Sequence, residues 1–320
     1  MSDDGRTGGI ALGTGVALGV AGLAAGSVFL RRFDAWAVRM ITQPERRVLD
    51  VTPADLGLDY EEIQMCSEDS VMLCGWLIPA PGGLDDARGS VILGHGISDT
   101  MGSLLGFAEW LQAGGYNVLM LDFRGHGRSG GDQTSVGYLE HQDMGAGLRY
   151  LEARGLHKIG VMGWSLGAAT AIATGAIYKQ VVGVVADSCF SRLAVPLSRA
   201  TVNILHHPPG LAWVEGLYAE RLVARSLGFD PMDARPETLV GRISPRPLLL
   251  IHSEEDDLCP PAGARRLFER AGEPKELWMS RAGSHAVGPY QTYPNEYRRR
   301  VLAFWERAFA DAPAAGAGVT

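Results

Sequence analysis

Apolar residues fall along this chain first in one long uncharged run, then in short clusters separated by longer stretches where they recur at helical spacing. The run, Gly8 to Leu30, matches the roughly 20 apolar residues that a helix needs to cross a bilayer. It predicts a transmembrane anchor over residues 1–32 and a juxtamembrane segment over 33–59, in which Trp36 suits the headgroup level. A cleaved secretory signal, which would make the protein extracellular or secreted, fits less well. MSDDGR carries one Arg against two Asp, and no small-residue cleavage site follows the run. Arg31, Arg32, Arg39, Arg46 and Arg47 follow it and only Arg6 precedes it, so the positive-inside rule puts the body of a single-pass protein in the cytoplasm. Gly15, Gly19, Gly22 and Gly26 share one helix face, where a second copy could approach closely, a pattern that raises a homodimer through that face but that a chain with 42 Gly also produces by chance.

From residue 60 onward strand and helix signals alternate, which predicts a parallel sheet covered on both faces, an α/β architecture. Tyr60 to Cys66 and Val71 to Pro79 predict a hairpin around SerGluAspSer, bringing Cys66 and Cys74 toward a pairing that spacing alone does not establish. Strands are expected at Val91–Leu93, Asn117–Asp122, Lys158–Gly163, Val181–Ala186, Leu248–His252 and Leu277–Met279. Helices are expected at Ser103–Ala113, Val136–Arg154, Leu166–Ala176 and Glu296–Phe309. Between about 191 and 244 the alternation breaks into helical patches, Leu193–Leu205 and Gly210–Leu227, with Pro-rich interruptions. Such an excursion between central strands predicts a lid over the sheet's C-terminal edge, where open α/β sheets bind ligands. The body spans 60–312, and 313–320 reads as a disordered tail.

Composition excludes more than it selects. With 46% hydrophobic and 20% charged residues in 320, the chain has the apolar mass for one main domain. A net charge of -7 leaves no broad basic surface, so no nucleic-acid partner is expected. Cys66, Cys74, Cys189 and Cys259 form no CxxC pair, and neither a metal nor a cofactor is called for.

The chemistry gathers in a few segments. GlyTrpSerLeuGly, Gly163 to Gly167, ends a strand of Val, Ile and Met and opens an Ala-rich helix, the context of a nucleophile elbow. A side chain at Gly163 or Gly167 would collide with neighbouring backbone, and the helix start turns its unpaired amides toward Ser165. A serine hydroxyl needs a base, normally a histidine held by a carboxylate. His285 lies in a Gly-containing loop after the last strand, free to hang over the sheet edge. His252 ends a strand and supports an acidic loop, HisSerGluGluAspAspLeuCysPro, that offers Asp256 first, with Asp257 and Glu255 behind it and Asp187 outside. GlyHisGlyIleSerAsp, Gly94 to Asp99, follows a strand, and the amides of Ile97 and Leu166 are the expected oxyanion donors.

HisGlyIle, AspPheArgGlyHisGlyArgSer (Asp122 to Ser129), GlyTrpSerLeuGly, the acidic loop and GlySerHis together resemble the α/β-hydrolase superfamily over roughly residues 60 to 310. With the N-terminal apolar run and single helical excursion, the chain is similar to membrane-anchored bacterial members. The resemblance implies the α/β-hydrolase fold, with Ser165 as nucleophile, His285 as base and Asp256 as acid, since the Asp four positions before the Pro is catalytic in the usual HisGly-x-x-Asp-x-x-Val-Pro pattern. Ser253 and Cys259 depart from that pattern, which keeps the neighbouring carboxylates open. It also implies that Asp122, Arg124, Gly125 and Gly127 form a structural turn rather than catalytic groups.

The expected reaction is cleavage of a small-molecule ester or thioester through an acyl-enzyme on Ser165. Leu205, Leu211, Trp213, Val214 and Leu217 in the excursion favour an apolar acyl group. A serine peptidase or amidase remains open, as does a membrane-tethered binding protein of the same fold without catalysis.

Overall fold

The computed structural model describes residues 31–311. The apolar run Gly8–Leu30, its glycine face and the tail 313–320 lie outside the described residues. Among the described residues no helix is long and apolar enough to cross a membrane. The chain divides after Ile41 into two units. In the first, the described residues 31–41 are helical, part of α1 (31–42), and the rings of Phe33 and Trp36 on it lie 5.7 Å apart.

The second unit is built on one eight-stranded sheet in the order β1-β2-β4-β3-β5-β6-β7-β8. Its strands are β1 Glu61–Cys66, β2 Met72–Ile78, β3 Ser90–Gly94, β4 Asn117–Leu121, β5 Ile159–Trp164, β6 Val181–Asp187, β7 Leu248–Ser253 and β8 Lys275–Ser280. β1 and β2 form the expected antiparallel hairpin, β2 runs antiparallel to β4, and all pairings from β4 through β3 to β8 are parallel. The hairpin register sets Cys66 opposite Met72 and Cys74 opposite Gln64. The two cysteines are therefore diagonal neighbours, a relation that holds Cβ atoms too far apart for a disulfide, and both are free thiols.

The central strands are buried on both faces because helices cover both. α2 (Leu105–Ala113) and α10 (Pro294–Ala310) take one face, where Phe107, Trp110, Tyr297, Val301, Phe304 and Trp305 pack on Val91, Leu93, Val118, Met120 and Val185. Each such side chain removed from water contributes about 1.5–3 kcal/mol. Gly160 in β5 admits the Trp305 ring, since a Cβ there would meet it at 2.3 Å. α3 (Glu140–Ala153), α4 (Leu166–Ile177) and α8 (Pro261–Arg270) cover the other face, with Gly147 letting α3 settle on Ile92 and Leu119.

α3 begins at Glu140 rather than at Val136 as the apolar pattern predicts. The Glu140 carboxylate accepts hydrogen bonds from Thr134 Oγ1 (2.6 Å), Ser135 N (2.7 Å), Ser135 Oγ (2.6 Å) and Gly137 N (2.8 Å), which folds 134–139 into a loop. Between β6 and β7 the predicted helical excursion is present as a hairpin of α5 (Ala194–Leu205) and α6 (Pro209–Leu227), followed by the short α7 (Pro236–Leu239). α5 and α6 cross at Gly216, where any Cβ would sit 2.5 Å from the Ala194 carbonyl oxygen. At the hairpin's root buried Glu220 accepts from Arg192 Nη2 (3.0 Å) and Arg235 Nη2 (2.8 Å).

Candidate active site

Parallel strands deliver their C-terminal ends to one rim, and the chemistry collects there. β5 ends at Trp164, α4 starts at Leu166, and Ser165 between them holds φ 54°, ψ -110°. That left-handed backbone is strained for serine and persists only where neighbours over-determine it. The Ser165 amide donates to the Asp187 carbonyl at 2.9 Å, and the Ser165 carbonyl accepts from Ala169 N at 3.1 Å. Both elbow glycines are sterically required. A Cβ on Gly163 would lie 2.3 Å from the Gly167 carbonyl, and one on Gly167 would lie 2.1 Å from the Gly94 carbonyl oxygen.

His285 stands in the loop after β8, and its Nε2 accepts from Ser165 Oγ at 2.8 Å. Its Nδ1 donates to Asp256 Oδ2, also at 2.8 Å. Asp256 follows β7 in a tight turn, and its Oδ1 accepts from the amides of Leu258 (3.1 Å) and Cys259 (2.7 Å). The Asp256 side chain is fully buried, whereas that of His285 is 17% exposed. The residues selected as nucleophile, base and acid are thus brought into one hydrogen-bonded row.

The rival carboxylates are elsewhere. Glu255 and Asp257 are exposed, the first reaching Gly283 N at 3.4 Å and the second offering only its carbonyl, to Arg199 Nε at 2.8 Å. Asp187 is buried and accepts from Tyr297 Oη (2.8 Å) and Ser188 Oγ (2.9 Å), and burial pushes its carboxyl up to about 8. Tyr297 Oη in turn accepts from Trp164 Nε1 at 3.1 Å, tying α10 to the elbow strand. His252 supports the acid turn as expected, donating from Nε2 to the Cys259 carbonyl at 2.6 Å. The same nitrogen lies 3.5 Å from Asp256 Oδ2, but burial lowers the His252 pKa and keeps the ring neutral, so this contact is no ion pair.

Leu166 opens α4, so its amide is among those a helix leaves unpaired. Ile97 lies in the turn after β3, and Gly96 beside it approaches the nucleophile closely enough that a Cβ there would be 3.8 Å from Ser165 Cβ. The Ile97 turn is braced by His95 and His126, whose part the sequence did not reveal, and by Asp122 of the expected structural turn. His95 Nδ1 donates to the Gly96 carbonyl (2.7 Å) while its Nε2 accepts from Phe123 N (3.0 Å). His126 Nε2 accepts from Ser98 N (3.3 Å), and Asp122 Oδ1 from Met101 N (2.8 Å). Burial, then the neighbouring His126, lower His95 to about 4, so it is neutral. The legible signal was the density of His, Asp and Gly in two turns, but their pairing depends on β3 and β4 lying side by side.

The chain is similar to known proteins in sequence and in fold. Residues 85–240 match the family described as serine aminopeptidase, S33. An esterase of Pyrococcus furiosus is 30% identical, with 83% of this chain and 98% of that one superposed at a TM-score of 0.70. The monoacylglycerol lipase of Mycolicibacterium smegmatis is 31% identical over 218 residues, 58% of this chain and 76% of its own length. The chain belongs to the α/β-hydrolase superfamily of serine hydrolases. YqkD of Bacillus subtilis, a protein of uncharacterised function, is 29% identical over 226 residues, 68% of this chain and 72% of that one. The strand order, the antiparallel β2 and the helices on both faces are those of an α/β-hydrolase sheet, as the sequence motifs implied.

Proposed function

We propose that this hydrolase cleaves carboxylic esters or thioesters with an apolar acyl group through a covalent acyl-enzyme on Ser165. The observation that carries the reading is the row Ser165 Oγ, His285 and Asp256, with both hydrogen bonds at 2.8 Å. His285 Nε2 takes the hydroxyl proton as Oγ adds to the carbonyl carbon, and Asp256 stabilises the imidazolium. The oxyanion is received by the amides of Ile97 and Leu166, donors of a kind each worth about 3 kcal/mol. His285 then returns its proton to the departing alcohol or thiol, and water repeats the sequence to release the acid.

The α5–α6 hairpin acts as the lid in this reading. Leu205, Leu211, Trp213 and Val214 on it are exposed apolar side chains, suited to an acyl chain rather than a polar substrate. The activities named for the Pyrococcus esterase and the Mycolicibacterium lipase point the same way. A tether through Gly8–Leu30, with the body on the cytoplasmic side, would bring the site to lipid substrates. Retention of the full-length protein in membranes through alkaline carbonate extraction tests the tether.

A fluorophosphonate probe and p-nitrophenyl esters of graded chain length test the chemistry. The wild type takes the label and prefers acyl chains longer than acetyl, and Ser165→Ala abolishes both labelling and turnover. Equal labelling of Ser165→Ala refutes the mechanism, and an acetyl preference refutes the substrate class. Because the matched family is described as an aminopeptidase, aminoacyl p-nitroanilides belong in the same panel. Their faster cleavage would replace the ester by an amide.

A further inference from the structure

We infer that His126 is a positioning residue for the Ile97 turn and that Arg46, in the segment leading into the hydrolase body, holds His126 in place. This rests on the proposed hydrolysis at Ser165 and adds to it a route from that segment to an oxyanion donor. The loop after β4 is irregular and passes through left-handed glycines at Gly125 (φ 72°), Gly127 (φ 45°) and Gly131 (φ 77°), and it is held from within by Gly125 N on the Gly130 carbonyl (2.9 Å) and Arg128 N on Asp122 Oδ2 (2.9 Å). Arg46 adds a clamp from outside it. Its Nη1 donates to the Ser129 carbonyl at 2.6 Å and reaches the Gly127 carbonyl at 3.4 Å, and its Nη2 donates to the Gly131 carbonyl. A planar guanidinium fork is suited to binding several fixed acceptors at once. The Thr134 amide fastens the same stretch a second time, to the Thr42 carbonyl at 2.8 Å.

His126 is the group this loop presents. Its Nδ1 donates to the Arg124 carbonyl at 2.9 Å, so in the neutral ring Nε2 carries the lone pair that accepts from Ser98 N. Ser98 itself sits at φ 58° and directly follows Ile97, so this bond fixes the peptide that follows Ile97, while His95 holds the Gly96 carbonyl of the peptide that carries the Ile97 amide. Protonated His126 would oppose a donor to the Ser98 donor and release the peptide after Ile97. Burial lowers its pKa most and the Arg46 charge lowers it further, against the Arg124 carbonyl, Glu140 and Asp122, which raise it. The ring of His95, 5.0 Å away, is neutral. Arg46 therefore fixes the loop and adds its charge to the burial that keeps the histidine an acceptor.

The test uses full-length protein, Arg46→Ala, Arg46→Lys, His126→Gln and His126→Leu, with thermal melts as a folding control. Removing an oxyanion donor outright costs about 10²–10³ in kcat. Mis-aiming one through Arg46→Ala should cost kcat roughly tenfold or more, leave KM within about twofold, and weaken a trifluoromethyl ketone inhibitor in proportion to kcat/KM. Arg46→Lys should recover most of that loss. On acidification wild-type log kcat should show a step that belongs to His126 taking a proton, below the usual imidazole range because burial and the Arg46 charge lower its pKa. That step should move to higher pH in Arg46→Ala and vanish in His126→Gln, whose amide oxygen accepts from Ser98 without titrating. His126→Leu should be slower than His126→Gln. If Arg46→Ala does not fold, Arg46→Gln takes its place, and pH profiles of Arg46→Gln and His126→Gln that match the wild type overturn the inference. Normal kcat and inhibitor affinity in folded Arg46→Ala also overturn it, while Ser165-dependent hydrolysis stands. Absence of any Ser165-dependent hydrolysis overturns the proposed function and this inference with it.

Discussion

Replacing Asp256 by Asn tests whether the carboxylate works by fixing the tautomer of His285. The two carboxylate oxygens are committed differently, Oδ1 to the amides of Leu258 and Cys259 and Oδ2 to His285 Nδ1. In the Asp256→Asn side chain only one atom accepts. The backbone amides cannot move without undoing the turn after β7, so the amide oxygen stays with them and the NH₂ group faces His285. Nδ1 must then become the acceptor, which puts the ring proton on Nε2 and removes the base from Ser165 Oγ. In serine proteases the equivalent change costs about 10⁴ in kcat with geometry intact, or about 5.4 kcal/mol at the barrier. The assay is kcat and KM on a p-nitrophenyl ester at pH 7 to 9. KM should hold within a few-fold while kcat falls by three to four decades, since substrate binding does not involve Nδ1. A loss below about tenfold would refute the reasoning, and would mean that Asp187 or solvent orients the imidazole.

Further predictions come from other parts of the fold. Gly167→Ala drives a Cβ to 2.1 Å from the Gly94 carbonyl oxygen, so β3 or α4 must part by about 1 Å. It should cost about 1–3 kcal/mol in a denaturant melt and about 10²-fold in kcat. A carboxyl whose pKa is raised by folding stabilises the native state at low pH and loses that contribution as pH climbs. With Asp187 pushed up to about 8, its share falls away between its ordinary value and pH 8, with a slope near 1.4 kcal/mol per pH unit. Asp187→Asn should flatten the dependence of Tm on pH across that window, and an unchanged slope would disprove the shift. Glu220→Ala leaves Arg192 and Arg235 unpaired under the α5–α6 hairpin, and breaking a buried pair in this way costs about 3–5 kcal/mol. Limited proteolysis should then cut first within 191–235, and cleavage at wild-type rate would count against a stapled hairpin.

The sheet was legible because strands covered on both faces read as uninterrupted apolar clusters, so β3 to β7 fall within a residue or two of their expected ends. The row Ser165, Asp256, His285 was legible for a different reason: strain and crowding demand glycine at 163 and 167, and the order along the chain is restricted. Part of what escaped notice was written locally but briefly. α8, ProAlaGlyAlaArgArgLeuPheGluArg, is amphipathic, with Ala264, Leu267 and Phe268 at helical spacing, yet it is ten residues long and buries only Ala264 and Leu267. The late start of α3 depends on one carboxylate turning back on its own N-terminal loop. The chain Trp164, Tyr297, Asp187 joins residues 133 and 110 positions apart, and no spacing foretells such a bond.

The proton-accepting imidazole sits 120 positions after the hydroxyl it serves, beyond the last strand of the sheet. On the proposed mechanism, therefore, the emerging polypeptide has no base for Ser165 until β8 has been added to the sheet edge and the loop behind it has closed. A chain arrested or clipped before that point should not turn over esters. Acquisition of turnover is accordingly a direct clock for completion of folding, and pulse-labelling nascent chains with an active-site phosphonate would read it.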